Sequence, residues 1–199
     1  MEKEKTYAFC ALLSRMKYIS RWGLMRQSRT ETVSEHTVET AILSHVLALL
    51  ARDTLGQQVR PEVVAVAALY HDASEILTGD LPTPVKYKNE ELKNAYKEVE
   101  RESATQLAAL LPDELQETLR PCLTGQVLKP EEATLLKAAD RISALVKCIE
   151  EGAAGNNEFT SAKAQQIKLL KEMDCPAAEL FLKEFLPCYE QNLDELVRF

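Results

Sequence analysis

The chain contains 199 residues, of which 46% are hydrophobic and 28% are charged, and its formal net charge is −7. This length and composition are typical of one globular domain, and the acidic balance argues against a nucleic-acid polymer as a partner, because proteins that bind one usually carry a basic surface. Six glycines and eight prolines are few for the many tight turns of an all-β fold. We therefore predict a single all-α domain that covers residues 1–199.

The five cysteines are scattered along the chain and none of them forms a C-x-x-C motif. This pattern argues against a disulfide framework and a zinc–thiolate site, and it suits a reducing compartment. No apolar run approaches the roughly 20 residues that a membrane-spanning helix needs, and no signal-peptide cleavage site follows the charged first residues. The sequence predicts a cytoplasmic protein with no membrane partner.

Helical periodicity dominates the first half of the chain. Apolar residues recur at helical spacing over residues 7–19, and the segment TVSE at 32–35 has the form of a capping box that starts a second helix. Pro61 suits the first position of a third helix, and residues 63–70 are apolar on all sides. We expect this third helix to be buried on every side and to continue to Gly79.

The second half of the chain is also predicted to be helical. Asn89 begins a long polar helix, a short helix follows Pro112, and Pro130 begins another that contains Asp140 and ends at Gly152. Two amphipathic helices complete the pattern. Because neither repeats nor a shift in composition marks a linker, these helices are predicted to form one bundle.

Three histidines are the first candidates for chemistry. His36 and His45 are nine residues apart on the second helix, which at about 100° per residue places them on opposite faces. His45 falls on the apolar stripe of that helix and is interpreted as a packing residue. His36 lies in the first turn, where a side chain can project into a cleft, and His71 lies near the end of the predicted third helix.

Acidic residues accompany these histidines. His71 and Glu75 are four positions apart and are expected to share one helix face, with Asp72 about 100° away. Asp140 lies in the middle of a helix with a strongly apolar side, where a carboxylate needs a cation. Taken alone, Asp140 could equally pair with one of the basic residues near it, which are Lys137, Arg141 and Lys147.

An ordered set of the form H…HD…D offers two imidazoles and two carboxylates from three predicted helices, at His36, His71, Asp72 and Asp140. This combination of ligands suits Mn²⁺, Co²⁺, Fe²⁺ or Zn²⁺. A His-Asp pair alone is weak evidence, because any helix can contain one. The complete set on an all-α chain predicts a metal site.

With the segments around it, this set resembles the HD-domain metal-dependent phosphohydrolases, and among them the bacterial 5′-deoxynucleotidases. The motifs that carry the resemblance are RW at 21–22, SEH at 34–36, YHDASE at 70–75, TGDLPTPVK at 78–86 and AD at 139–140. The resemblance covers nearly the whole chain. It implies an HD-type helical bundle that hydrolyses deoxyribonucleoside 5′-monophosphates to deoxynucleosides and phosphate.

The resemblance also implies the roles of the ligand residues. His36, His71, Asp72 and Asp140 would hold one divalent metal ion, which we expect to be Co²⁺ or Mn²⁺. His45 is the only histidine that remains, on the opposite helix face, so a second histidine-rich site cannot be assembled, although a site made of carboxylates alone stays open. Glu75 would be the catalytic acid or base, and its alternative is a helix-end carboxylate in solvent.

The residues implied to bind substrate lie mainly in two short segments. Arg21 would contact the phosphate in a catalytic role, for which its forked guanidinium is well suited. Trp22 would crowd a ribose 2′-hydroxyl, although it could simply anchor the core. Asp80 would accept a hydrogen bond from the 3′-hydroxyl, although its segment could merely end a helix. The implied substrate-binding set is Arg21, Trp22, His36, Asp72, Asp80, Leu81, Pro82, Thr83 and Asp140.

Two other functions remain open from the sequence. One is an HD phosphohydrolase acting on a nucleoside triphosphate or a guanosine alarmone, although such substrates would call for more basic side chains than Arg21 and Lys86. The other is a non-catalytic helical module clamped by a metal ion, which would bind metal without releasing phosphate. The resemblance also implies a homodimer, whose interface or core could include Phe181, Phe185, Leu186 and Tyr189.

Overall fold

The computed structural model describes residues 6–86 and 88–197, with the backbone alone at positions 83 and 84. This part of the chain is all-α, as predicted, and the domain boundaries 1–199 stay a prediction. The α-helices, in chain order, are α1 (Phe9–Leu13), α2 (Val33–Leu49), α3 (Pro61–Ala68), α4 (Glu75–Thr78), α5 (Thr83–Lys86), α6 (Glu90–Ala108), α7 (Asp113–Leu123), α8 (Pro130–Ala153), α9 (Thr160–Lys171), α10 (Pro176–Glu184) and α11 (Leu193–Leu196).

The main hydrophobic core lies between α2, α3, α8 and the C-terminal helices. Leu47 of α2, Ile142 and Leu145 of α8 and Leu170 of α9 are completely buried in it. Burying each such side chain contributes about 1.5–3 kcal/mol relative to leaving it in water. This packing fixes the first turn of α2 opposite the middle of α8.

A second core supports the turns that follow α3. Phe9 of α1, Leu107 of α6 and Leu123 of α7 pack around Ala73, which is completely buried, and Tyr70 lies at the edge of this cluster. This second core therefore anchors the turns through Tyr70 and Ala73.

The predicted capping box at the start of α2 is present. The Thr32 hydroxyl accepts a hydrogen bond of 3.2 Å from the backbone N–H of Glu35, and the Glu35 carboxylate accepts one of 2.8 Å from the backbone N–H of Thr32. A cap of this kind is worth about 1 kcal/mol. It fixes the helix start directly before His36.

The third helix is shorter and more exposed than predicted. It begins at Pro61, as expected, but it ends at Ala68. Val66 and Leu69 are 43% and 44% exposed, so the prediction of a helix buried on every side is wrong. The all-apolar run predicts the helix correctly here, but it does not indicate which face of the helix packs against the rest of the protein.

Residues 69–74 form successive turns instead of continuing α3 to Gly79. The reason is the imidazole of His71, whose Nδ1 donates a hydrogen bond of 2.7 Å to the carbonyl oxygen of Ala68. A continuing α-helix would use that oxygen for the N–H of Asp72, whereas the N–H of Glu75 bonds to Asp72 at i−3. His71 and Glu75 therefore do not share a helix face, which corrects the prediction.

Two further observations concern membrane-spanning helices and the state of the cysteines. Over the residues described, none of the helices has both the length and the apolar character required to cross a bilayer. All five cysteines are free thiols, and three of them are buried.

Candidate active site

His36 lies in the first turn of α2, as predicted, and its side chain is completely buried. Its Nε2 lies 3.2 Å from Oδ1 of Asp140 and 3.5 Å from Oδ2 of Asp72. Its Nδ1 lies 2.9 Å from the hydroxyl oxygen of Ser143 on α8. One nitrogen of a buried imidazole thus faces two carboxylates that come from different elements.

His71 and Asp72 lie in the turns between α3 and α4. Because a carbonyl oxygen can only accept a hydrogen bond, the contact with Ala68 places a proton on Nδ1 of His71. The other ring nitrogen, Nε2, faces Asp72. This Nε2 lies 3.1 Å from Oδ2 of Asp72, yet it is buried without a well-formed hydrogen bond to any residue that the structure describes. The His71 and His36 ring centroids are 5.4 Å apart.

The residues predicted as metal ligands converge in one place. Ligand atoms of His36, His71 and Asp72 all lie within 4.8 Å of one another, and Asp140 joins them through its 3.2 Å contact with His36. Of the two interpretations left open for Asp140, the structure favours the one with the histidines. We refer to these four residues as the ligand cluster.

The ligand cluster attracts positive charge. Burial opposes a charge on the His71 ring, but Asp72 and, more weakly, Asp140 raise the pKa of His71 to about 9. Burial also opposes charge on Asp72, yet His71, His36 and Arg21 hold its pKa well below the usual range. Two imidazoles and two carboxylates are ligands typical of divalent transition metals, and the unpartnered Nε2 of His71 would gain a partner. The residues therefore fit a divalent metal ion.

Glu75 is the first residue of α4 and is only 6% exposed. Its Oε2 is buried with no hydrogen-bond partner in the part of the chain that the structure describes. Burial, and then the charges of Asp72 and Asp80, raise the pKa of Glu75 to about 9. The alternative of a carboxylate in solvent is wrong, because this carboxyl group is buried.

Arg21 lies at the edge of the ligand cluster. Its side chain is 12% exposed, and its guanidinium is 3.4 Å from Oδ2 of Asp72 and 3.3 Å from Oε2 of Glu31. Burial would lower the pKa of Arg21, but the charges of Asp72 and Glu31 outweigh that effect and raise the pKa above its usual value. Arg21 is thus a permanent, half-buried cation beside the ligand cluster.

Trp22 adopts an unusual backbone conformation. Its φ of 60° is the only positive φ of a non-glycine residue in the described ranges, and such strain costs on the order of 1–3 kcal/mol. The backbone N–H donates to Oδ2 of Asp80 at 3.2 Å, and the indole Nε1 donates to Oε2 of Glu31 at 2.7 Å. The ring also packs edge-on against Phe159, with centroids 5.2 Å apart. Trp22 is therefore both packed and held next to Arg21.

The segment predicted to bind the sugar begins directly after α4. Asp80 lies close enough to accept the N–H of Trp22, and burial raises its pKa. Leu81 and Pro82 are half-buried and lead into α5, while the side chain of Thr83 lies outside the described residues. The structure brings Asp80 to Trp22, and the roles of the three residues after it stay predictions.

Comparison with known proteins decides the family. A family model described as 5′-deoxynucleotidase YfbR-like matches residues 8–189. A 5′-deoxynucleotidase of Vibrio vulnificus is 47% identical over 188 residues, which cover 94% of this chain and 97% of that protein. The chain belongs to the YfbR-like 5′-deoxynucleotidase family. The predicted family and the predicted enzyme class, a phosphoric monoester hydrolase, are confirmed.

Solved structures resemble this YfbR-like chain in fold. An HD-domain phosphohydrolase from Listeria innocua matches with a TM-score of 0.79 and 26% identity, over 91% of this chain and 87% of that chain. An HD phosphohydrolase of cyanophage S-2L, bound to dA and one catalytic Zn²⁺ ion, matches with a TM-score of 0.62 and 20% identity, over 96% and 100% of the two chains. The predicted HD-type bundle is confirmed.

Sequence analysis missed Glu31, which accepts hydrogen bonds from both residues of the RW motif in this YfbR-like chain. An isolated antiparallel bridge between Ser20 and Thr32, and a 2.9 Å bond from the N–H of Arg21 to the carbonyl of Glu31, close the loop that carries it. A single bridge leaves no periodic pattern in a sequence, so no signal pointed to this residue.

Proposed function

We propose that the protein removes the 5′-phosphate from deoxyribonucleoside monophosphates at the ligand cluster. The observation that carries the proposal is that a half-buried arginine, Arg21, and a buried carboxyl group with a raised pKa, Glu75, lie next to a cluster that attracts positive charge. Charge to stabilise the phosphate, a group to orient it and a proton carrier are what hydrolysis of a phosphate monoester requires.

The ligand cluster would hold one divalent ion, for which Co²⁺ and Mn²⁺ are our candidates. When bound, such an ion supplies positive charge beside the phosphate and lowers the pKa of a bound water. The unpartnered Nε2 of His71 and the two carboxylates support this assignment.

Arg21 would bind the phosphate. Its Nε donates a hydrogen bond to Glu31, while its Nη1 lies 3.4 Å from Oδ2 of Asp72, a long contact that can be exchanged for one with a phosphate oxygen. A guanidinium binds such oxygens in a fixed planar geometry and keeps its charge at all working pH values.

Glu75 would transfer the proton. With a pKa of about 9, its carboxyl group holds a proton at pH 7 and can give it to the 5′-oxygen as the phosphorus–oxygen bond breaks. Water adds to phosphorus in the same displacement, and a proton from that water restores Glu75. The burial of Glu75 limits exchange of this proton with solvent.

Trp22 and Asp80 would select the sugar. The indole ring would crowd a ribose 2′-hydroxyl, and Asp80 would accept a hydrogen bond from the 3′-hydroxyl, with Leu81, Pro82 and Thr83 beside it. The hydrogen bond between the Trp22 N–H and Asp80 supports this pairing, because it holds the two selecting groups together.

The experiment measures phosphate release by metal-stripped protein after adding Co²⁺, Mn²⁺, Mg²⁺ or Zn²⁺, with matched deoxyribonucleoside and ribonucleoside 5′-monophosphates. We expect metal-dependent release that is largely confined to the deoxy set. The Asp72→Ala and Asp140→Ala variants should lose metal and activity while circular dichroism shows that the helices are retained.

The other outcomes each remove part of the proposal. Equal release from both sets would refute the role of Trp22 in sugar selection. Release only from triphosphates or alarmones would replace the substrate class. Metal binding with no release from any nucleotide would favour a metal-clamped helical module.

We also propose that the protein is a cytoplasmic homodimer. Of the predicted interface residues, Phe181 is only 3% exposed and belongs to the core, whereas Phe185 and Tyr189 are each 38% exposed. Two aromatic side chains exposed on neighbouring turns support an interface here. Light scattering should give the mass of two chains, and the mass of one chain would contradict the proposal.

A further inference from the structure

A chain of polar groups leads from His36 away from the ligand cluster. Nδ1 of His36 lies 2.9 Å from the hydroxyl oxygen of Ser143, and that hydroxyl donates a 2.6 Å hydrogen bond to Oε2 of Glu39. His36 and Glu39 are three positions apart on α2, while Ser143 lies one turn after Asp140 on α8. The two helices that contribute His36 and Asp140 thus also contribute this hydrogen-bonded chain.

The hydrogen-bonded groups His36, Ser143 and Glu39 have only one arrangement of protons that satisfies both contacts when Glu39 is ionised. A carboxylate can only accept, and a serine hydroxyl has one proton to give. The 2.6 Å distance falls in the range of a hydroxyl bound to a charged carboxylate. With Glu39 ionised, the Ser143 proton points to Glu39, and the Ser143 oxygen accepts from Nδ1–H of His36.

We propose that Ser143 and Glu39 are positioning residues, which hold a proton on Nδ1 of His36 and so keep Nε2 available to the metal ion. Only a ring nitrogen without a proton can ligate a metal, and the partner of the other nitrogen decides which nitrogen that is. Nε2 is the atom that faces Asp72 and Asp140. The inference rests on the proposed role of His36 as a ligand.

The surroundings of the His36 ring support this relay. His36 and Ser143 are both completely buried, so water does not compete for either group. Thr40 lies 3.4 Å from both ring nitrogens, which is too long for a strong hydrogen bond to either. Ser143 is the closest partner of Nδ1 among the described residues, and it links that nitrogen to the carboxylate of Glu39.

The first experiment measures Mn²⁺ affinity without substrate, by counting free Mn²⁺ with electron paramagnetic resonance during titration of metal-stripped protein. We expect Ser143→Ala to weaken binding about 10- to 100-fold and Glu39→Ala to weaken it by a smaller factor. The matched control is Glu150→Ala, which removes an equal charge from an exposed residue that lies near Glu39. Its affinity should stay within about twofold of the parent.

The second experiment identifies the proton directly. The chain has only three histidines, so ¹⁵N-histidine labelling gives few signals, and long-range ¹⁵N–¹H spectra of the Zn²⁺-loaded protein distinguish the two ring nitrogens. We expect the proton of His36 on Nδ1 in the parent. In Ser143→Ala we expect that signal to broaden or change, while the signals of His71, held by a backbone carbonyl, stay in place.

The following results would overturn the inference or a part of it. Mn²⁺ affinity within twofold of the parent in Ser143→Ala would refute the relay. Equal effects of Glu39→Ala and Glu150→Ala on Mn²⁺ affinity would mean that Glu39 acts only through its charge and not through Ser143. A proton on Nε2 of His36 in the Zn²⁺-loaded protein would refute the tautomer. Unchanged affinity in His36→Ala would instead refute the ligand assignment, whatever the phosphate assay gives. If Ser143→Ala does not fold, Glu39→Ala at the half-buried end of the chain decides.

Discussion

Glu75 illustrates how the surroundings of one side chain set its chemistry. A carboxyl group in water is ionised at pH 7, but Glu75 is buried between Asp72 and Asp80, and its pKa rises to about 9. Removing a charged group from water costs free energy unless a cation is close, and two carboxylates nearby add repulsion. A buried neutral acid beside a phosphate site is suited to donate a proton.

We therefore expect Glu75→Gln to keep the metal and lose turnover. Glutamine preserves the shape of the side chain but has no proton to transfer, so kcat should fall about 10²- to 10⁴-fold. Metal analysis by mass spectrometry should give the parent's stoichiometry. The control is Glu117→Gln, an exposed residue of α7, which should leave kcat unchanged. Parent-like turnover in Glu75→Gln would show that another group moves the proton.

Glu31 acts on the same site through its neighbours. One of its carboxylate oxygens, Oε2, accepts from the indole of Trp22 and from the guanidinium of Arg21. A hydrogen bond to a charged group contributes about 1.5–3 kcal/mol, which is enough to offset the strain of the Trp22 backbone. Glu31 thus couples the residue proposed for phosphate binding to the residue proposed for sugar selection.

The prediction is that Glu31→Ala lowers the preference for deoxyribonucleotides about tenfold and also raises KM. Trp22→Ala should lower the preference by at least as much, because it removes the ring itself. Trp22→Phe keeps a ring but loses the indole N–H, so its preference should lie between those of Trp22→Ala and the parent. The measurement is the ratio of kcat/KM for matched deoxy- and ribonucleotides. A ratio unchanged by Glu31→Ala would limit Glu31 to a structural role.

At the scale of elements, local signals were predictable and side-chain competition was not. The start of α2 followed from the capping box, because its residues lie within one turn of each other. The end of α3 did not, because it depends on a ring of His71 that takes the carbonyl oxygen of Ala68. No periodic pattern in the sequence indicates such a competition, and because of it His71 and Glu75 do not share a helix face.

Glu151 of α8 anchors the loop that follows Trp22. Glu151 is 1% exposed and accepts hydrogen bonds from Lys147 at 2.6 Å, from the N–H of Ser28 at 2.9 Å and from Asn156 at 2.7 Å. Lys147 also donates to the carbonyl of Arg29. Burial would raise the pKa of Glu151, but the bonds from Lys147 and Ser28 lower it to about 2. These contacts fasten the loop that follows Trp22.

We expect Glu151→Ala to reduce the free energy of unfolding by about 3–5 kcal/mol, because it leaves Lys147 buried without its anion. Urea unfolding of the metal-free protein at pH 7 measures this value. The double variant Glu151→Leu with Lys147→Met removes both charges and should cost much less. A Glu151→Ala variant as stable as the parent would mean that Lys147 finds solvent or another partner.

For the whole molecule, the sequence predicted which four residues converge better than it predicted what supports them. The four positions carry motif residues, and two of them, His36 and Asp140, lie on the helices predicted for them. Their supports join residues far apart in the chain, as His36 and Ser143 are separated by 107 positions. Such pairs depend on how α2 packs against α8, which is decided by the buried apolar side chains and not by any local pattern.

The same dependence on long-range pairs makes the stability of the fold depend on pH. Glu132, at the start of α8, is completely buried and accepts hydrogen bonds from the side chain and the backbone N–H of Arg60, the residue before α3, and from the N–H of Lys129. The side-chain bond with Arg60 is the main reason that the pKa of Glu132 falls from 4.5 to about 2. Protonation would break the contact that ties α3 to α8.

A lowered pKa in the folded state stabilises the fold above the unfolded pKa, and that stability is lost as the pH falls from about 4.5 to about 2. We expect Glu132→Gln to lower the free energy of unfolding by ~2–3 kcal/mol at pH 7, from 1.36 kcal/mol per pKa unit discounted because the Arg60 side chain is 44% exposed. The difference from the parent should shrink toward zero near pH 2. Urea unfolding of the metal-free proteins at several pH values measures it, with the exposed Glu131→Gln as the matched control, which should change stability by less than about 0.5 kcal/mol. A difference that stays constant from pH 7 to pH 2 would mean that Glu132 contributes through packing alone.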